Sequence, residues 1–76
     1  MRIEFTSHIR IKMKERRIAE SNVLVTIRHP NFTRPTYNGR QERYKKFGRN
    51  YLMVVVREES EALVAITVHW VRQLPA

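Results

Sequence analysis

The sequence predicts an α+β domain in which a short strand and two helices precede an antiparallel sheet. Three observations predict this class. Residues 7–17 and 20–28 place apolar side chains at helical spacing, whereas residues 32–71 alternate or run in β-branched stretches. Between two of those stretches, Asn38-Gly39 is a strong hairpin signal, because both positions favour positive φ. We therefore expect three or four antiparallel strands, with the helices packed on one face.

The N-terminal half is predicted to hold one strand and two short helices. Residues 2–6 alternate between apolar and polar side chains, and Thr6 or Ser7 can cap a helix that continues to about Arg17. A second helix fits residues 20–28 and ends before the proline that follows. Its β-branched residues would also suit a strand, but the apolar stripe has helical spacing: Val23, Leu24 and Ile27.

The C-terminal half is predicted to be a meander. Residues 32–37 suit an edge strand, because Pro35 has no N–H to donate to a central ladder. Residues 40–47 form the return strand, residues 51–58 are apolar on both faces and suit a central strand, and residues 62–71 form the last one. The side chains expected to fill the space between sheet and helices are Val54, Val56, Ile66 and Val68.

Length and composition limit the functions that the chain can have. The 76 residues are predicted to form one domain, residues 1–76. Fifteen Lys and Arg against seven acidic residues give a net charge of +8, which favours a nucleic acid partner over an anionic membrane or an acidic protein. No run approaches the roughly 18 apolar residues of a membrane span, and no signal peptide is visible, so we expect a cytoplasmic protein. The absence of cysteine fits a reducing compartment.

The first candidate site is a basic row on the first helix, formed by His8, Lys12 and Arg16. These residues lie four apart and therefore share one helical face. Such a row could hold phosphates and supply an imidazole that titrates near neutral pH. The simpler alternative is an ordinary solvated face, which every helix of a soluble domain has.

The second candidate is the strand at residues 40–47, where alternation puts Arg43 and Lys45 on one face. Together they could clamp a phosphate, and Tyr44 could instead stack on a base if its face meets the ligand. The alternative is a strand that carries charge because charge protects against edge-to-edge aggregation.

The third candidate is the last strand, where Thr67 and His69 share one parity and could line a site joined by Arg72. Taken singly, His69 is more simply explained as a packed, half-exposed histidine, and Trp70 as part of the core. We expect no metal, because the three histidines have no ligand spacing and the chain has no aspartate. No motif for a cofactor, a phosphate-binding loop or paired catalytic carboxylates is present.

The chain also carries a family resemblance. The residues involved are Phe5-Thr6-Ser7-His8, Met13, Glu15-Arg16, Ile18, Val23, Ile27 and Pro30, followed by the segments from Gly39 to Val56 and from Ile66 to Val68. They resemble a family of small bacterial and archaeal domains that begin with a strand and the pattern T-x-H-A-x-x-R-M-x-x-R-G-I. The similarity covers nearly the whole chain, and its motifs are short and moderately specific.

That family is thought to share the fold of RelE-type and BrnT-type toxins, which are metal-independent ribonucleases of toxin–antitoxin pairs. The resemblance implies a RelE-like α+β domain and carries over His8, Arg16 and, as a conservative change, Lys12. Lys12 stands where the family usually has arginine, and lysine lacks the fork that matches phosphate. Arg17 stands where the family usually has glycine, so it would be strained in a left-handed helix cap. Ile9 replaces the usual small residue after the histidine.

Two functions follow as hypotheses. The first is a ribonuclease toxin that leaves 2′,3′-cyclic phosphate ends, with His8 or His69 transferring protons and Arg16 stabilising charge. Lys12, Arg43, Lys45 and Arg72 would then bind the RNA, which could be ribosome-associated mRNA. The second is a non-catalytic module that holds nucleic acid or a protein partner. Under the first hypothesis we expect a small acidic antitoxin as partner, and a homodimer is compatible with the sequence. Both hypotheses assume that the basic row and the cations of the 40–47 strand open onto one cleft.

Overall fold

The computed structural model describes residues 1–76 and has the α+β architecture that the sequence predicts. Its elements are β1 (Arg2–Phe5), α1 (Ser7–Glu15), α2 (Glu20–Arg28), β2 (Phe32–Pro35), β3 (Arg40–Phe47), β4 (Asn50–Glu59) and β5 (Ala62–Val71). The sheet has five strands in the order β1-β5-β4-β3-β2. β2 to β5 form the predicted antiparallel meander, and β1 makes the sheet mixed because it pairs in parallel with β5.

Both ends of α1 are set by local hydrogen bonds. At its start the Thr6 hydroxyl accepts a hydrogen bond from the Ile9 N–H at 3.1 Å, which satisfies one of the free donors of the first turn. At its end Arg17 adopts a left-handed φ of 55°, and the Ile18 N–H donates to the Met13 carbonyl at 2.8 Å. This is a Schellman ending, and it places the expected strain on Arg17, which has a Cβ where glycine would be favoured.

Both helices pack on one face of the sheet. Neither nine-residue helix is long and apolar enough to cross a membrane. Ile9 and Met13 of α1 and Val23 and Ile27 of α2 are buried against Leu52, Val54, Val56, Ala65 and Val68 of the sheet. β4 is the middle strand, as its apolar character predicts, and its side chains at 52, 54 and 56 are at most 1% exposed. The opposite face carries no helix.

A β-bulge in β5 alters which residues reach the core. Val55 pairs with Thr67 and Val56 pairs with Ala65, so Ile66 is an extra residue with no partner on β4. Ala65 is fully buried on the helix-bearing face, whereas Thr67, two positions later, lies on the opposite face. The expectation that Ile66 fills the core with Val68 is therefore wrong, and Ala65 occupies that place.

The β2–β3 hairpin has the turn that the sequence predicts. Asn38 and Gly39 have φ values of 62° and 70°, so both central positions of the turn are left-handed. The Arg40 N–H donates to the Tyr37 carbonyl at 3.3 Å, and the Thr36 N–H donates to the Arg40 carbonyl at 2.9 Å. This geometry fixes the register in which β2 forms the edge of the sheet.

Candidate functional site

The free edge of β5 is where the candidate site begins. β1 pairs only with residues 62–65 of β5, so the edge from Ile66 onward has no neighbouring strand. Two side chains bond to that edge instead. The Thr6 hydroxyl donates to the Ile66 carbonyl at 3.1 Å, and the Arg16 guanidinium donates to the Val68 carbonyl at 2.8 Å. These bonds hold both ends of α1 against the C-terminal half of β5.

The basic row runs along this free edge. His8 lies near the start of α1, and its Nε2 is 3.2 Å from the Thr67 hydroxyl, within hydrogen-bond distance. Lys12, one turn further on, donates to the exposed carboxylate of Glu15 at 3.2 Å. An exposed pair of this kind contributes little to stability, so the ammonium group remains available to a stronger anion.

His69 completes the cluster on the face that carries no helix. Burial lowers the pKa of the His69 imidazole, and the positive charges of Arg16, Lys12 and His8 lower that pKa further. The three residues of the basic row therefore act electrostatically on one half-buried imidazole. At neutral pH this imidazole is uncharged, and one of its ring nitrogens can accept a proton.

The structure thus brings together five of the residues that the sequence singled out: His8, Lys12, Arg16, Thr67 and His69. In chemical terms the arrangement offers two imidazoles beside two cations. A phosphodiester lying across it would meet groups that transfer protons and groups that stabilise negative charge.

The structure does not bring Arg43 and Lys45 into this cluster. Their register partners on β4 are Val54 and Leu52, which belong to the buried helix-bearing face. Arg43 donates to the Ile27 carbonyl at 2.6 Å, and Lys45 donates to a backbone carbonyl just after α2 at 2.8 Å. The two cations therefore satisfy free carbonyls at the end of α2. The expected common cleft with the basic row is absent, because the row lies on α1 at the free edge of β5, whereas Arg43 and Lys45 lie on β3 at the end of α2, with β4 between the two strands.

Arg72 lies at the end of the sheet, in a shallow cavity that the sequence did not predict. Its lining residues are Arg49, Asn50 and Arg72. Arg49 follows Gly48 in the β3–β4 turn, and antiparallel pairing of β4 with β5 brings the start of β4 beside the end of β5. The predicted order of strands does imply this contact, because antiparallel pairing of residues 51–58 with residues 62–71 brings residues near 50 beside residues near 72.

Two aromatic residues differ from expectation. Tyr44 is only 5% exposed, so it does not offer a ring for stacking on a base. Its hydroxyl donates to the Glu42 carboxylate at 2.8 Å, and that oxygen also accepts from Arg34. Burial, together with this hydrogen bond and the negative charge of Glu42, raises the pKa of Tyr44 to about 12. Trp70, which was expected in the core, is 39% exposed.

No three histidine, cysteine or acidic side chains of the chain come close enough together to hold a metal ion.

Comparison of the chain with protein-family models, curated proteins and solved structures found no significant match in any of the three.

Proposed function

We propose that this protein binds RNA and cleaves it without a metal ion, as the toxin of a type II toxin–antitoxin pair. The observation that carries the proposal is the grouping of His8, Lys12 and Arg16 around His69 at the free edge of β5. The net charge of +8 supports a polyanionic substrate.

The reaction that these groups suit is attack of an RNA 2′-hydroxyl on the adjacent phosphorus. His69 takes the proton from the 2′-oxygen, because its lowered pKa keeps the imidazole uncharged and able to accept. His8 gives a proton to the departing 5′-oxygen. The P–O5′ bond breaks as the P–O2′ bond forms, and the products are a 2′,3′-cyclic phosphate and a free 5′-hydroxyl. His8 and His69 are therefore the proposed catalytic residues.

The cations have separate tasks in this proposal. One Arg16 nitrogen is bonded to the Val68 carbonyl, which holds the guanidinium at the edge of β5. The remaining guanidinium N–H groups are the proposed donors to the phosphate oxygens as negative charge builds up. Lys12 adds a second positive charge and exchanges its exposed contact with Glu15 for the phosphate.

A protein partner is part of the proposal. A toxin must be held inactive until needed, and a small acidic antitoxin would complement the basic surface. An acidic segment lying along the free edge of β5 would cover both the basic row and His69. Co-expression with the neighbouring gene, followed by co-purification and a growth assay, tests this part.

Cleavage is tested with purified protein, RNA and excess EDTA. We expect 2′,3′-cyclic phosphate ends in wild-type reactions, since no step uses a metal. His69→Ala and Arg16→Ala should each lower the rate by at least about 100-fold, the size typical of removing a proton-transfer group or a charge-stabilising donor. Circular dichroism on each variant checks that it remains folded.

The matched control is His29→Ala, since His29 is the third histidine and its exposed side chain lies outside the cluster. Its rate should equal that of the wild type. RNA cleavage that survives equally in His8→Ala, His69→Ala and His29→Ala would refute the assignment of the site.

The second candidate function is a non-catalytic nucleic-acid-binding module. The polar cavity at Arg49, Asn50 and Arg72 favours it, because that cavity offers phosphate donors and no histidine. This function predicts binding that weakens steeply with salt and never alters the RNA. Intact RNA after prolonged incubation, together with harmless overexpression in cells, would favour this second function over the first.

A further inference from the structure

The far end of β5 presents an exposed tryptophan beside two arginines. Trp70 pairs with Leu52 on the helix-bearing face, yet it is 39% exposed. The Phe47 and Trp70 rings are perpendicular to each other in a T-shaped contact, with centroids 6.0 Å apart. This contact orients the indole ring while leaving much of it open to solvent.

The arginines nearby have no acidic partners. The five ion pairs of the structure involve other cations: Arg2, Arg10, Lys12, Arg34 and Arg57. Arg49 and Arg72 instead line a cavity whose third residue, Asn50, is also a hydrogen-bond donor. Because nothing in the fold neutralises these guanidinium groups, the cavity suits a phosphate, which arginine can bind through two parallel hydrogen bonds.

The register places these features next to one another. Asn50 lies two positions before Leu52, whose partner on β5 is Trp70, and Arg72 lies two positions after Trp70. Two residues of a strand span about 7 Å, so the indole and the cavity are close neighbours. A concave donor site beside an exposed aromatic ring is the arrangement that proteins use for single-stranded nucleic acid.

We propose that this end of the sheet is a second contact for single-stranded RNA, in which Arg49 and Arg72 bind a phosphate and Trp70 stacks on a neighbouring base. The proposal rests on the proposed function in taking RNA as the ligand. The Ile66 and Val68 carbonyls on the free edge of β5 are bonded to Thr6 and Arg16, so a single RNA strand would cross that edge beyond Val68, where β5 has no strand partner on that side. It then reaches His69 on one face and Trp70 on the other, and these two residues are adjacent in sequence.

The test uses the fluorescence of Trp70, which is the only tryptophan in the chain. The probe is a short 2′-O-methyl oligoadenylate, whose methyl groups block the attacking hydroxyl so that binding is measured without cleavage. We expect the oligoadenylate to quench Trp70 fluorescence in parallel with binding measured by anisotropy. An abasic oligomer with the same number of phosphates should bind at least about fivefold more weakly, because it has no base to stack, and should leave the fluorescence unchanged.

The arginines are tested by the double variant Arg49→Gln/Arg72→Gln, with Arg28→Gln as a control for the removal of an exposed positive charge. In a plot of log affinity against log salt concentration, the slope should be shallower for the double variant. The expected difference in slope is about 0.7 for each phosphate that the variant no longer binds. The double variant should also abolish the quenching, whereas Arg28→Gln should retain most of the affinity and all of the quenching. All three residues are exposed, so the variants should fold.

The outcomes separate this inference from the proposed ribonuclease. Cleavage of unmodified RNA with no change in Trp70 fluorescence on binding would overturn the inference and leave the catalytic proposal intact. Quenching without cleavage would support the inference and count against catalysis. Equal quenching by oligoadenylate and by polyglutamate would overturn the RNA assignment, because it would indicate a surface that binds an acidic protein segment.

Discussion

Arg43 is a basic residue whose contacts indicate a structural role. Its Nη1 donates to the Ile27 carbonyl at 2.6 Å, and its Nε donates to the Gln41 side chain at the same distance. Ile27 lies in the last turn of α2, where backbone carbonyls have no partner within the helix. The guanidinium also sits at the negative end of the helix dipole. We therefore expect Arg43→Ala to destabilise the protein.

The expected destabilisation follows from the kind of bond removed. A hydrogen bond from a charged donor contributes about 1.5 to 3 kcal/mol, so Arg43→Ala should lower the free energy of unfolding by about 2 kcal/mol. For a domain of this size, that corresponds to a decrease in Tm of about 8 to 16 °C. Arg28→Ala removes an exposed arginine from the same helix end and should cost less than about 1 kcal/mol.

Urea unfolding of the two variants and the wild type, followed by Trp70 fluorescence, measures the difference. RNA affinity is then measured at a temperature at which all three proteins are folded. Arg43→Ala should bind RNA about as well as Arg28→Ala does. If Arg43→Ala instead kept wild-type stability and bound RNA much more weakly, the guanidinium would be an RNA contact and the structural role would be refuted.

Three further predictions concern pH and backbone strain. The folded His69 imidazole has a lowered pKa, so unfolding takes up a proton below pH 6.5. The free energy of unfolding should therefore fall on acidification, and His69→Gln should flatten that slope; an unchanged slope would contradict the assignment. The pH dependence of stability expected from Tyr44 runs in the opposite direction. Because folding raises its pKa from 10.0 to about 12, stability should fall as the pH rises across that interval, by about 2 kcal/mol, and Tyr44→Phe should remove this decrease. Finally, Arg17→Gly should raise stability by about 1 kcal/mol in urea unfolding, since it relieves a φ of 55°, whereas Arg17→Ala should not.

Most of the fold could be predicted because local signals and tertiary structure agree. Thr6 caps α1, Asn38-Gly39 forms the left-handed turn, and both positions owe their conformation to side chains within a few residues. The parallel pairing of β1 with β5 could not be predicted in this way. It joins residues about sixty positions apart, and nothing in the five N-terminal residues specifies which strand they meet.

The candidate site was predicted in part, for a related reason. Four-residue spacing on a helix correctly groups His8, Lys12 and Arg16, because one helix determines their geometry. Alternation along β3 correctly groups Arg43 and Lys45 as well. Whether the two groups open onto one cleft depends on how far apart β3 and α1 lie across the sheet. Composition cannot supply that information, since a positive charge at the end of a helix and a positive charge facing a ligand look the same in a sequence.

The bulge at Ile66 determines whether the site exists at all. In an unbroken strand Thr67 and His69 would share a face with Ala65, which is fully buried beneath the helices. The extra residue shifts the alternation by one, so the imidazole emerges on the opposite face and the Val68 side chain takes the core position. Deleting Ile66 should therefore destabilise or unfold the chain, because it removes the extra residue and forces His69 toward the core. A folded deletion variant that retains an acid-sensitive stability slope equal to that of the wild type would contradict this account.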